Sequence, residues 1–303
     1  LSIGGYIYFD NNITNQRNSQ KEGETITAQG EKKYKKYESY AQPRIVSVNV
    51  NVDIFPSSRN LNASGEYMMV NKTKEVIDSI FLDHNGLTST FKFNKEINLV
   101  SEDTIYNLDI YKLKSPVYPG DSLKLSFSVK NKPNTVLRNN SQVLYNGTFI
   151  NNSTFPSLGY LLGELRDDKT RKKYDLPPNK LKPLPSDSTA LGNTYIAKDA
   201  DWIDFEATVS TSKDQIAIAP GYLQKEWFEG DRRYFHYKMD SKILNFYAFN
   251  SAKYEIKKDK WNDVNLEIYY HKGHEYNLDS MMKGMKAALD YCTENFSPYQ
   301  HKQ

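Results

Sequence analysis

The sequence predicts a mainly β protein, an antiparallel β-sandwich or saddle-like sheet domain with a short N-terminal helix and a C-terminal strand-helix unit. Three observations predict it. Val46, Val48, Val50, Val52 and Ile54 alternate with Ser47, Asn49, Asn51 and Asp53, the period-two pattern of a strand with one buried face. Short apolar runs punctuated by Gly, Pro and Asn follow at close intervals, as in antiparallel sheets joined by tight turns. Near the end, Leu278, Met281, Met282, Met285, Ala288, Leu289, Cys292 and Phe296 recur at three- and four-residue steps. They form one stripe of a helix of about five turns. No fixed-period repeat is visible, which excludes a propeller or solenoid.

Taken in order, residues 1–9 (LSIGGYIYF) are apolar but too short for a bilayer. They read either as the tail of a membrane helix or as an edge strand. Residues 10–30 are polar and read as loop or as partly disordered. Residues 31–40 read as a short surface helix carrying Tyr34, Tyr37 and Tyr40 on one edge, stopped by Pro43. Strands are expected at 44–55, 66–70, 76–83, 90–94, 105–113, 122–130 and 142–150, then at 202–210, 214–219, 221–229, 232–238, 245–256 and 264–270. Between them, 164–193 is charged and then proline-rich. Pro177, Pro178, Pro183 and Pro185 exclude a central strand or helix interior, so this segment reads as a solvent-exposed excursion. Asn277 is placed to cap the last helix, with Asp279 in its first turn, and Pro298 stops it.

Composition narrows the function. The 40 basic residues interleave with 37 acidic ones for a net charge of +3, which argues against a nucleic-acid partner. Mean hydropathy is −0.72 and no run reaches membrane-span length, so this stretch of chain is expected to be soluble. The single cysteine, Cys292, forms no internal disulfide, and its place on the helix stripe predicts burial. Among the five histidines no His-Glu-x-x-His pattern occurs. His271 and His274, with Glu275 beside them, fall on an expected loop that would not fix two ring nitrogens on one metal. No catalytic or metal-ligating residue is therefore assigned, and no cofactor is expected in this chain.

The C-terminal stretch carries a resemblance. A strand ending in Tyr269-Tyr270, a loop with His271 and Asn277, an amphipathic helix, then Phe296-Ser297-Pro298-Tyr299 resembles the opening of the catalytic domain in zinc aminopeptidases of the aminopeptidase N and leukotriene hydrolase family. Upstream, Val48 to Asp53, Gly65-Glu66-Tyr67, Asn71-Lys72-Thr73 and Ile80-Phe81-Leu82 resemble the first strands of that family's N-terminal β-domain. Phe155-Pro156 resembles its F-P element, and 208–223 its later strand pair.

The resemblance implies three segments: 1–43, a linker and short helix following a membrane segment; 44–256, the β-domain; and 257–303, the start of a peptidase-like domain cut short. It implies a non-catalytic N-terminal domain that helps form a peptide-binding cleft, with zinc held in a catalytic domain beyond Gln303. The partners implied are the rest of the polypeptide, a peptide substrate and a membrane domain upstream of Leu1. The similarity to a bacterial transporter-permease subgroup implies an extracytoplasmic position. It also supplies the alternative, an extramembrane binding or scaffold module without peptidase activity. In the family a Gln or Glu shortly before the F-P element binds the substrate amine. Counting back from Phe155-Pro156 reaches Gly147, beside Asn146, with no acid or glutamine there. Asn146, Asn151 and Asn152 are left as uncharged candidates for substrate binding, against the alternative of a polar strand end.

Overall fold

The computed structural model describes residues 2–9, 13, 18–85, 87–133, 141–179, 183–190 and 198–303. Its centre is β1 (Arg44–Phe55), flanked by antiparallel β2 (Asn60–Val70) and parallel β10 (Ala200–Ser212). Val48, Val50, Val52 and Ile54 are buried as the alternation predicts, while Asn49 and Asn51 face water. One position departs from the pattern. A bulge between Ile45 and Ser47 turns Ile45 inward and leaves Val46 half-buried.

The sheet extends through β7 (Ser122–Asn131) to β4 (Thr88–Phe93) on one side. On the other it runs through β13 (Arg232–Lys238) to β12 (Tyr222–Glu229). A four-stranded sheet is ordered β5 (Ile97–Asp103), β6 (Leu108–Val117), β3 (Ile77–Asp83) and β9 (Ser157–Leu158). A three-stranded one holds β11 (Ile216–Ile218), β14 (Ala248–Ala252) and β8 (Thr148–Asn151). Their inner faces share one apolar core. Gly221, at φ +102°, enters β12 where a Cβ would lie 2.7 Å from the Lys238 carbonyl carbon, so only glycine fits.

Several expectations are corrected. Residues 10–30 are not all loop: α2 (Gln20–Tyr34) begins there, closed by a capping box of Ser19 and Glu22. A single turn of 3-10 helix follows at Lys35–Tyr37. Residues 2–9 form a short exposed helix, α1 (Ser2–Phe9), and not an edge strand. The run 142–150 is strand only from Thr148. Leu144 and Thr148 close a local turn through the Thr148 hydroxyl instead. The run 245–256 breaks at Lys253 into β14 and β15 (Tyr254–Trp261), which belong to different sheets.

The C-terminal unit pairs β15 with β16 (Val264–His271) and packs α4 (Leu278–Asn295) on the hairpin through Leu278 and Met282, with Met285 and Leu289 alongside. Met281, Cys292 and Phe296 are exposed, against the expected single buried stripe. The hairpin covers only one edge of that stripe. Asn277 sits at the helix start at φ +69°, but its side chain makes no cap. Among the described residues no helix is long and apolar enough to cross a membrane.

The excursion is also more than exposed decoration. It contains α3 (Asp168–Lys173), whose Arg171 is buried against Glu31 of α2. Gly30 beside it lets the Tyr106 ring lie where a Cβ would come within 2.5 Å. Tyr34 donates to Asp103 at 2.5 Å, pinning α2 to the four-stranded sheet.

Candidate functional site

The three asparagine candidates do not converge. Asn146 lies before β8, where its Oδ1 accepts from the Lys253 backbone N–H at 2.8 Å and its Nδ2 is 3.5 Å from Nδ1 of His271. It holds the junction between β14 and β15. Asn151 shapes the opposite end of β8: its Oδ1 accepts from the Ser153 N–H and hydroxyl, forming the turn that ends in Phe155. Asn152 faces a cavity, and its Nδ2 donates to the Asn245 carbonyl at 2.9 Å.

That cavity holds about 320 Å³ beneath the turn and the segment that follows it. Phe155 anchors the turn, fully buried among Phe127, Tyr247 and Phe249 with ring centroids 5.9–6.1 Å apart. The chain then crosses the sheet as β9, pairing Leu158 with Leu82, and Gly159 turns it at φ +89°. This route brings Tyr160 and Glu164 to the cavity wall opposite Asp199, Asn245, Tyr67 and Tyr247.

The wall is rich in hydrogen-bond acceptors. Asp199 is buried and accepts from the Leu158 N–H at 3.2 Å; burial pushes its pKa up, opposed by that hydrogen bond, by Asn245 and by the charge of Arg44. Among the described residues no cation lies within salt-bridge distance of it. The Tyr67 and Tyr247 hydroxyls are 3.4 Å apart, and burial raises both pKa values, with the Asp199 charge adding to each. Burial and the Glu164 charge raise that of Tyr160. Two buried atoms on these residues, Asn245 Oδ1 and Tyr160 Oη, have no hydrogen-bond partner among the described residues.

The sequence reading missed Asp199, Asn245, Tyr67, Tyr160 and Tyr247. They come from four separated segments, and apart from Asn245 and Tyr247, two residues apart, no local spacing relates them. The one available signal was Asp199 standing at the edge of the apolar run that becomes β10.

The histidines are scattered. His84 faces Asp109 at 3.8 Å, and His236 pairs with Glu206 at 2.8 Å. His271 ends β16, while His274 contacts the Tyr276 hydroxyl at 3.1 Å. Among the described residues no three His, Cys, Asp or Glu side chains are gathered as a metal would need, so these residues do not fit a zinc ion.

The comparisons bear on this arrangement. No family model and no curated protein sequence matches the chain. Solved structures do match in fold. An M1 zinc metallopeptidase from Deinococcus radiodurans aligns over 88% of this chain and 56% of its own, at 12% identity and TM-score 0.56. A mutant of the M1 enzyme from that organism, bound to a Tyr-Ser-Ala substrate, aligns over the same shares at 11% identity and TM-score 0.54. A two-domain M1 zinc metallopeptidase mutant bound to L-arginine aligns over 86% of this chain and 55% of its own, at 12% identity and TM-score 0.55. The chain therefore has the fold of part of these metallopeptidases and spans a little over half their length.

Proposed function

We propose that this chain is the non-catalytic β-domain of a zinc-metallopeptidase-like protein, joined to the first hairpin and helix of the domain that follows. In this reading 44–256 forms one wall of a peptide-binding cleft, 257–303 begins the peptidase-like domain, and the metal chemistry resides in sequence beyond Gln303. The single observation that carries the reading is the fold match over 88% of the chain to M1 enzymes of which it spans 56%. The exposed apolar side of α4 agrees with it: Met281, Tyr291 and Phe296 offer the kind of surface an adjoining domain covers. Asn146 stands beside His271 at the junction of the two units, where a cleft would run, but as an uncharged amide it supplies no anchor for a substrate ammonium.

The test is zinc-dependent hydrolysis of aminoacyl-arylamide substrates by the chain alone and by the polypeptide extended through the next domain. The extended protein should release chromophore and lose activity to a chelator, and the chain alone should not. An extended protein that binds no zinc and releases nothing would refute the peptidase reading. Turnover by the chain alone, abolished by substituting one of its own residues, would refute the division of labour.

A further inference from the structure

We propose that the cavity between Asp199 and Tyr160 binds a small molecule through a primary ammonium group, independently of any peptide cleft. It opens at the far end of β8 from Asn146, the candidate nearest the hairpin, so it is a separate feature of the β-domain. Three observations converge on this chemistry. First, the only neutralising help described for the buried Asp199 carboxylate comes from neutral donors and a distant arginine. The basic groups around it are engaged or exposed: Arg44 donates to the Ala200 carbonyl at 3.0 Å and lies 3.6 Å from Asp201, Lys35 is bound to Glu164 at 2.5 Å, and Lys198, on the cavity lining, is exposed. Second, Asn245 Oδ1 and Tyr160 Oη are buried on the wall without partners. An ammonium brings three donors and a charge, which matches one carboxylate and two free oxygens. Third, Tyr67 and Tyr247 add aromatic rings to the wall, and Tyr160 already has the Lys35 ammonium 5.8 Å from its ring centroid, which shows that this wall accepts a cation over a ring. An anion would meet the Asp199 and Glu164 carboxylates, with the Tyr160 hydroxyl as its one unpartnered buried donor and Lys198 as an exposed cation on the lining, so the buried part of the wall disfavours acids.

The volume of about 320 Å³ accepts an amine carrying one aromatic ring or a short aliphatic chain. A free amine and the N-terminus of a short peptide present the same group. The experiment is calorimetric titration of the whole chain with phenethylamine, its uncharged analogue 2-phenylethanol, 3-phenylpropionate and the tripeptide Phe-Gly-Gly. Phenethylamine should bind at least tenfold more tightly than the alcohol, and the acid should not bind. Competition by Phe-Gly-Gly identifies a peptide terminus as the source; its failure to compete assigns the site to free amines. Asp199→Asn should weaken phenethylamine at least tenfold. Tyr160→Phe, which removes only one unpartnered hydroxyl and keeps the packing, should weaken it severalfold while leaving the urea midpoint unchanged. Equal binding of amine and alcohol, no binding at 10 mM to the folded chain, or full affinity in both variants would overturn the proposal.

Discussion

Breaking the Glu31–Arg171 pair should undock α2 and the excursion while leaving the β core folded. The guanidinium binds Glu31 at two points, 2.6 and 3.0 Å, and also donates to the carbonyls of Pro177 at 2.6 Å and Leu165 at 2.7 Å. Both charged side chains are almost fully buried, at 3% and 2% exposure. Removing one partner of such a pair strands the other charge in a low dielectric, at a cost of about 3–5 kcal/mol. At about 1.4 kcal/mol per tenfold, Glu31→Gln should raise the opening equilibrium of this region on the order of a hundredfold to a few thousandfold. Replacing both, as Glu31→Leu with Arg171→Met, removes the stranded charge. The remaining loss is the two carbonyl hydrogen bonds, about 1 kcal/mol each, so the double variant should recover much of the stability. Hydrogen exchange read by mass spectrometry separates the peptides of 20–34 and 165–179 from those of β1 and β10. Unchanged protection of both segments in Glu31→Gln would refute the reasoning, as would a double variant less protected than either single one.

Three further outcomes are expected. Gly221→Ala places a Cβ against the Lys238 backbone at positive φ and should cost about 1–3 kcal/mol, read as a lower urea midpoint; an unchanged midpoint would refute the close approach. Burial raises the pKa of Asp199, so its contribution to stability is full below the unfolded value near 3.9 and is lost as pH rises through the folded one. Asp199→Asn should therefore gain on the parent chain as pH rises above about 4, and a difference in urea midpoint that does not move with pH would contradict the upward shift. Cys292, exposed on α4, should react with a disulfide reagent in the native chain at nearly the rate seen in urea; strong native protection would restore the buried position its spacing suggested.

The elements legible in the sequence were those whose pattern is local. β1 announced itself by alternation, and α4 by its stripe, because one periodic face meets one core. α2 was hidden by its composition. Its buried face is Ala28, Gly30, Glu31 and Tyr34, a surface that reads as polar until Arg171 arrives from 140 residues away. The Ser19–Glu22 capping box was the signal that could have found it. α4 failed in the opposite sense. Its stripe is broad enough for two contacts, and the hairpin supplies one, which left Met281, Cys292 and Phe296 outside. The cavity was illegible for a different reason. Asp199, Asn245 and Tyr160 meet only because β9 crosses beside β3, and strand pairing at that range leaves no spacing to read.

The separation of the apolar cluster under α4 from that of the sheets also bears on how the hairpin is held. The core of the sheets and the core under α4 do not merge. Beyond the short link at Lys253, their relation rests on polar contacts, and three of these meet at one residue near the end of the chain. The Lys302 carbonyl accepts from the Asn265 N–H at 2.9 Å, its N–H donates to the Tyr222 hydroxyl at 3.0 Å, and its ammonium lies 2.9 Å from Asp240. The ion pair is open to water and contributes little; the two hydrogen bonds of the backbone carry the link. Replacing the side chain, as Lys302→Ala, should therefore leave the orientation of hairpin and sheet unchanged, whereas Tyr222→Phe removes a contact that the tail backbone makes. A spin-label distance between the two units should broaden in Tyr222→Phe and stay narrow in Lys302→Ala. The reverse order would mean that charge, and not the returning backbone, sets the angle between hairpin and sheet.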